Sequence, residues 1–205
     1  MRVTVYKNDI PTELLIDGDI AIDTETMGLN FHRDRLCVVQ ISNGDGNAYL
    51  VQFDGKDYSA PNLKKLLADE SRGKIFHYAR FDLAVIKKYL EVDINNVFCT
   101  KIASKLARTY TDSHGLKDLC RELLGITISK QQQSSYWSAE ELSEEQKEYA
   151  AKDVTYLHSI RTILTKRLID LNRAHIAHKL FEFLPVIVEL DLIGWNDIDI
   201  FAHGN

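Results

Sequence analysis

The chain predicts an α/β domain with a mixed central sheet flanked by helices and a mostly helical C-terminal half. Three observations carry this. Short β-rich runs alternate with helix-period segments in the first half, turn-forming stretches separate the first runs, and apolar residues recur at helical spacing in the second half. Residues 19–24 (DIAIDT), 36–42 (LCVVQIS) and 48–53 (AYLVQF) read as consecutive strands of a meander, joined through NFHRDR and NGDGN. NLKKLLADE reads as a short helix, KIFH as a buried strand, FDLAVIKKYL as a helix and NVFCT as another strand. From Lys101 onward the pattern is helical. Gly115 and Gly125 bracket a helix around LKDLCRELL, and residues 129–135, with three consecutive glutamines, form a loop. Ser143 and Gln146 have capping-box spacing, and the stripe Ala150, Val154, Leu157, Ile160, Leu164, Leu168 and Leu171 predicts one long amphipathic helix. Pro185 and Gly194 are expected to break the last apolar segment, 180–195.

Composition narrows the functional classes. At 205 residues, with 45% hydrophobic and 27% charged side chains, the chain suits one globular domain over residues 1–205 with a substantial core, not a disordered protein. Thirty acidic against 25 basic residues leave a net charge of −5, which argues against gripping long duplexes on a broad basic surface. MRVTVYKNDI is charged where a secretory leader would be apolar, and no run reaches membrane-spanning length, so a cytoplasmic protein with no membrane partner is expected. Cys37, Cys99 and Cys120 lack CxxC spacing and read as buried, reduced thiols.

Four carboxylates and a tyrosine stand beside apolar runs, where solvation alone does not call for them. Asp23 and Glu25 lie two apart at the end of a strand and share a face. Asp82 opens a helix directly after KIFH, and Tyr149 and Asp153 share a helix face four residues apart. Each has an ordinary alternative: a strand end entering solvent, a helix-capping acid, a tyrosine packed beside a solvated carboxylate. Their conjunction in this order instead suggests one cluster of hard oxygen ligands for Mg²⁺ or Mn²⁺. His175 and His178 share a helix face, but nothing nearby completes a tetrahedral zinc set, so they read as surface histidines.

The order, setting and flanks of these motifs resemble the DEDD exonucleases of the ribonuclease H-like fold, in the subgroup whose third motif is YxxxD. Within it the chain is similar to the catalytic domain of ribonuclease D. Over nearly its whole length it resembles the short bacterial nanoRNase C proteins, including HRDRLCVVQIS, FCTKIASKLARTYTD, HGLKDLC, ISKQQQSS and ELDLIGWNDIDIFAH. The resemblance implies a single exonuclease domain without an accessory HRDC domain, and hydrolysis assisted by two Mg²⁺ or Mn²⁺ ions roughly 4 Å apart. Asp23 would bridge both ions, Glu25 and Asp153 would complete the water-activating site, and Asp82 would hold the other. Tyr149 would orient the attacking water and help remove its proton. Attack from the 3′ end would release nucleoside 5′-monophosphates from short RNA, above all diribonucleotides. Longer RNA or DNA is the alternative substrate, and the resemblance further implies a homo-octamer. A non-catalytic nucleic-acid-binding module is the rival reading; such modules lose metal-binding acids, whereas all four acids and the tyrosine are present here.

Substrate contacts follow less directly. Leu29 matches the place where related oligoribonucleases wedge an apolar side chain between the last two bases, with Gly28 allowing close approach; a turn glycine and a core leucine are the alternative. His77 and Arg80 flank Asp82 and are candidates for phosphate, as are Lys101, Lys105, Arg108, Lys117 and Lys130. In KQQQSSYW the family commonly has an acid before the tryptophan, where this chain has Tyr136. Gln133, Ser134 and Trp137 are candidate nucleotide contacts or, equally, parts of a structural loop. The apolar tail 180–195 suits either core packing or contact with another copy.

Overall fold

The computed structural model describes residues 1–129, 131–132 and 134–203; Lys130 and Gln133, two of the expected contacts, lie outside them. In chain order the elements are β1 (Arg2–Lys7), β2 (Ile20–Thr26), β3 (Leu36–Ser42), β4 (Asn47–Gln52), α1 (Pro61–Ala68), β5 (Lys74–Phe76), α2 (Ala79–Leu90), β6 (Val97–Cys99) and α3 (Thr100–Ala107). They continue with α4 (Leu116–Leu119), which runs into a π turn at Cys120–Leu124, then α5 (Glu144–Thr155), α6 (Leu157–Asp170) and α7 (Ala174–Leu190), which runs into a π turn at Asp191–Trp195.

The strands form one mixed sheet in the order β1-β4-β3-β2-β5-β6. β2, β3 and β4 pair antiparallel as the expected meander, while β1 joins β4, and β5 joins both β2 and β6, in parallel. β3 is buried at every position, as a strand covered on both faces must be. β1 is an addition to the expected set; Val3 and Val5 alternate with Thr4 and Tyr6, a weak period-two signal on a half-buried edge. α5 packs across β2, β3 and β4, and Ala150, Ala151 and Val154 join the same core.

Three sequence expectations need correction. The single long helix is two, α5 and α6, divided at Tyr156. Thr155 Oγ1 donates back to the Ala151 carbonyl at 2.6 Å, a bond that bends helices, and the stripe persists because Leu157, Ile160, Leu164 and Leu168 still face inward. Pro185 does not end the last helix but lies inside α7, where burial of Ala177, Phe181, Leu184 and Val188 offsets its lost N–H. The break comes at Gly194, whose φ of 97° is open to glycine. The helix around LKDLCRELL is α-helical only to Leu119 and widens to π geometry before Gly125. The capping box is present in both directions: Gln146 N donates to Ser143 Oγ at 3.2 Å, and Ser143 N donates to Gln146 Oε1 at 3.0 Å.

Candidate active site

A gap in the sheet positions the acids. β5 pairs with β2 only at Ile20 and Ala21 and ends at Phe76. β2 runs on to Thr26, so its acid-bearing end extends past its parallel neighbour. The chain turns sharply out of β5 through Tyr78, a non-glycine residue in the left-handed region (φ 69°, ψ 44°), at a cost of roughly 1–2 kcal/mol. α2 then starts at once, and Asp82 in its first turn reaches the flank of β2, accepting a 2.7 Å hydrogen bond from Thr24 Oγ1.

Asp23 and Glu25 project from β2, and Asp153 comes from the last turns of α5, which the capping box and the packing of α5 on the sheet fix in place. One carboxylate oxygen from each of these three lies within 4.8 Å of the others. Asp82 is buried beside them, 3% exposed. Burial raises the Asp23 carboxyl well above its usual range, and the charges of Asp82, Asp153 and Glu25 raise it further. Burial and then Asp153 and Asp82 act on Glu25 in the same direction. Burial likewise lifts Asp82 from 3.8 to about 7, against the hydrogen bonds from Thr24 that favour its charged form. Tyr149 hydrogen-bonds Asp153, and its phenol is pushed far above its ordinary value by burial and then by Asp153, Glu25 and Asp23.

Carboxylates this close repel one another unless protons or cations lie among them. A hard oxygen set of this kind fits Mg²⁺ or Mn²⁺. Gln40, fully buried and directly across the strand pair from Asp23, places Nε2 3.5 Å from Asp23 Oδ2, and its Oε1 has no hydrogen-bond partner among the described residues, as expected where a metal-bound water would donate. Sequence reasoning passed over both Gln40 and Thr24. Only strand register reveals the first, and the second alternates with Asp23 and Glu25 along β2 and finds its partner, Asp82, 58 residues away on α2.

The expected substrate residues separate into two groups. Leu29 is 84% exposed beyond the end of β2, close in sequence to the acids, so the core-leucine alternative is wrong. A side chain on Gly28 would stand 2.3 Å from Asp34 Oδ2, so the glycine is required by the loop's own packing. Ser134 is exposed in a turn, and half-buried His77 pairs Nδ1 with Thr100 Oγ1 at 2.9 Å. Arg108, expected at the cleft surface, is instead 1% exposed. Its guanidinium is bonded to Glu122, to Ser104 Oγ at 2.9 Å and to the Ser113 carbonyl at 2.7 Å, which makes it a clamp of the α3–α4 connection. Trp137, expected to meet nucleotide, is also buried at 1% exposure, and its ring packs 6.1 Å from that of Tyr149. It backs the Tyr149 ring rather than facing solvent. Arg80 forms a fork with Asp191, at 2.7 and 2.6 Å. His175 and His178 are exposed, and His178 pairs with Glu182.

With this geometry in view, the comparisons with known proteins agree. The family model described as 3′-5′ exonuclease matches residues 6–169. Ribonuclease D of Gluconacetobacter diazotrophicus is 34% identical over 149 residues, which are 73% of this chain but only 37% of that relative. The structure of Brucella melitensis NrnC bound to pGG is 55% identical, with full coverage of both chains and a TM-score of 0.96. The structure of Brucella melitensis NrnC with bound Mg²⁺ is 54% identical, again over the whole of both chains, with a TM-score of 0.95. The mixed sheet and helices have the ribonuclease H-like architecture of these neighbours. The chain belongs to the 3′-to-5′ exonuclease family, within its NrnC group.

Proposed function

We propose that this protein is a metal-dependent 3′-to-5′ exoribonuclease that hydrolyses short oligoribonucleotides, diribonucleotides above all, to nucleoside 5′-monophosphates. The observation that carries this reading is the convergence of Asp23, Glu25 and Asp153 within 4.8 Å, with Asp82 and Tyr149 alongside. Asp23, Glu25 and Asp153 would hold one divalent ion, and Asp82 with Asp23 a second. When bound, Mg²⁺ or Mn²⁺ supplies an acidified water and neutralises charge on the phosphoryl and leaving oxygens.

The protein's own groups divide the remaining work. Burial and the neighbouring acids hold the Tyr149 phenol protonated in the metal-free site, where it is a hydrogen-bond donor beside Asp153 placed to orient the attacking water. Trp137 holds the Tyr149 ring in place. Exposed Leu29 offers an apolar surface for the terminal bases. The net charge of −5 suits a substrate of few phosphates, for which counterion release provides little driving force. The binding of pGG by a relative 55% identical supports the same substrate class.

The exposed apolar side chains Ile193, Trp195, Ile198, Ile200 and Phe201 lie together at the C-terminal end of the sequence and suit contacts between copies in a homo-octamer. Among the described residues, no helix is long and apolar enough to cross a membrane. A cytoplasmic location belongs to the same proposal.

A competition time course tests the reading. The purified protein receives Mg²⁺ and equal amounts of a 5′-phosphorylated diribonucleotide, a seven-residue RNA and a duplex DNA with free 3′ ends. Rapid loss of the diribonucleotide alone supports it. Ladders from the longer substrates would establish a general exonuclease instead, and no cleavage with either Mg²⁺ or Mn²⁺ would leave a binding module.

A further inference from the structure

Arg80 precedes Asp82 by two residues, and sequence alone makes it a candidate phosphate contact. Its guanidinium is engaged elsewhere. Nε and Nη2 donate to Asp191 Oδ2 and Oδ1 at 2.7 and 2.6 Å, and Nη2 also donates to the Asn196 carbonyl at 3.2 Å. Asp191 is 2% exposed where α7 passes into its π turn, so both oxygens of a buried carboxylate are committed to one fork. The backbone carbonyl of Asp191 accepts from His32 Nε2 at 3.1 Å. His32 belongs to the loop that carries Leu29.

That loop is held from a second side. Lys88 Nζ on α2 donates to the carbonyls of Phe31 and His32 at 2.9 and 2.6 Å. Within the loop, Asn30 N donates to Asp34 Oδ2 at 3.0 Å, and Met27 N closes it onto the Arg35 carbonyl at 3.1 Å. The loop is therefore tied within itself, and its outer anchors are α2 and Asp191. One end of β2 carries Asp23 and Glu25 directly before this loop, and the first turn of α2 carries Asp82 two residues after Arg80.

We propose that Asp191 is a positioning residue for exonucleolysis: through Arg80 and His32 it fixes the Leu29 loop relative to the first turn of α2, so that bases resting on Leu29 place the scissile phosphate at the acids. Arg80 serves this fork rather than substrate phosphate. The inference rests on the substrate reading above. Removing the fork loosens the loop without deleting an acid, so it weakens binding more than turnover; a misplacement on the order of 1 Å is enough to lower efficiency by 10-fold or more.

Asp191→Asn keeps shape and removes the charge, while Arg80→Lys keeps charge and removes the fork. The two are made singly and together. Backbone hydrogen exchange over residues 27–35 and the KM and kcat for a 5′-phosphorylated diribonucleotide are then measured. Each single variant should speed exchange in the loop and raise KM by about tenfold with a smaller change in kcat, and the double variant should be no worse than the poorer single. A raised KM in Arg80→Lys with unchanged KM and loop exchange in Asp191→Asn would make Arg80 a phosphate contact and overturn the proposal. Unchanged loop exchange in both variants would also overturn it. If the unmodified protein hydrolyses no diribonucleotide, the substrate reading fails, and the exchange measurement alone still decides whether Asp191 holds the loop.

Discussion

Asp82→Asn should make the metal-free protein more stable at alkaline pH while abolishing its activity. The folded protein lifts the Asp82 carboxyl from 3.8 to about 7, chiefly because it is buried. A raised carboxyl pKa means that the folded state binds the proton more tightly than the unfolded state. Its stabilising contribution is therefore complete below about pH 4 and is lost as pH climbs through about 7. With about 1.4 kcal/mol for each pH unit of that gap, the loss is on the order of 4 kcal/mol above pH 7. Asparagine has nearly the same shape, still accepts from Thr24 Oγ1 and carries no charge, so the variant avoids the loss. In urea with EDTA, at one protein concentration, the variant should match the parent near pH 4. At pH 8 its midpoint should be higher by about 1.5 M, for an m of about 2–3 kcal/mol/M. Equal midpoints at pH 8 would show that Asp82 is not buried against its ionisation and would refute the electrostatic account of the site.

Asp153→Asn should abolish hydrolysis while circular dichroism and gel filtration match the parent; more than a trace of activity would remove Asp153 from the ligand set. The thermal shift produced by Mg²⁺ should grow between pH 5 and pH 8, because the raised carboxyls of Asp23, Glu25 and Asp82 hold protons that compete with the ion; a shift independent of pH would contradict the coupling. Leu29→Ala, at a site 84% exposed, should change stability by less than about 0.5 kcal/mol while raising KM for the diribonucleotide, and an unchanged KM would end the wedge assignment. Trp137→Ala should cost about 3–5 kcal/mol in urea denaturation, with Trp137→Phe milder because the indole Nε1 has no hydrogen-bond partner among the described residues; a cost below about 1 kcal/mol would place Trp137 outside the core.

What could be read from residues alone was what local periodicity and local chemistry encode. The three meander strands, the capping box at Ser143, and the shared faces of Asp23 with Glu25 and of Tyr149 with Asp153 all follow from spacing. The left-handed turn at Tyr78 does not, because no glycine marks it. Arg80 and Arg108 carry charges that, from sequence alone, suit phosphate. Their partners, Asp191 and Glu122, lie 111 and 14 residues away and were not visible from spacing. Trp137 in a polar loop looked like a surface aromatic because the helix that covers it, α5, begins only after it in sequence. In each case the missing information was which long-range neighbour a side chain meets.

The acids proposed to bind metal lie on β2, on α2 and on α5, and α5 follows both of the others in the sequence. During synthesis the growing chain thus acquires Asp23, Glu25 and Asp82 well before it can close the ligand set. The proposed ligand set closes only where α5 seats over β2, β3 and β4, whereas β5 and β6 are met by the later helices α6 and α7. A chain made only as far as α4 lacks Asp153, so on the proposed reading the ability to retain a divalent ion becomes a report that α5 has been seated on the sheet.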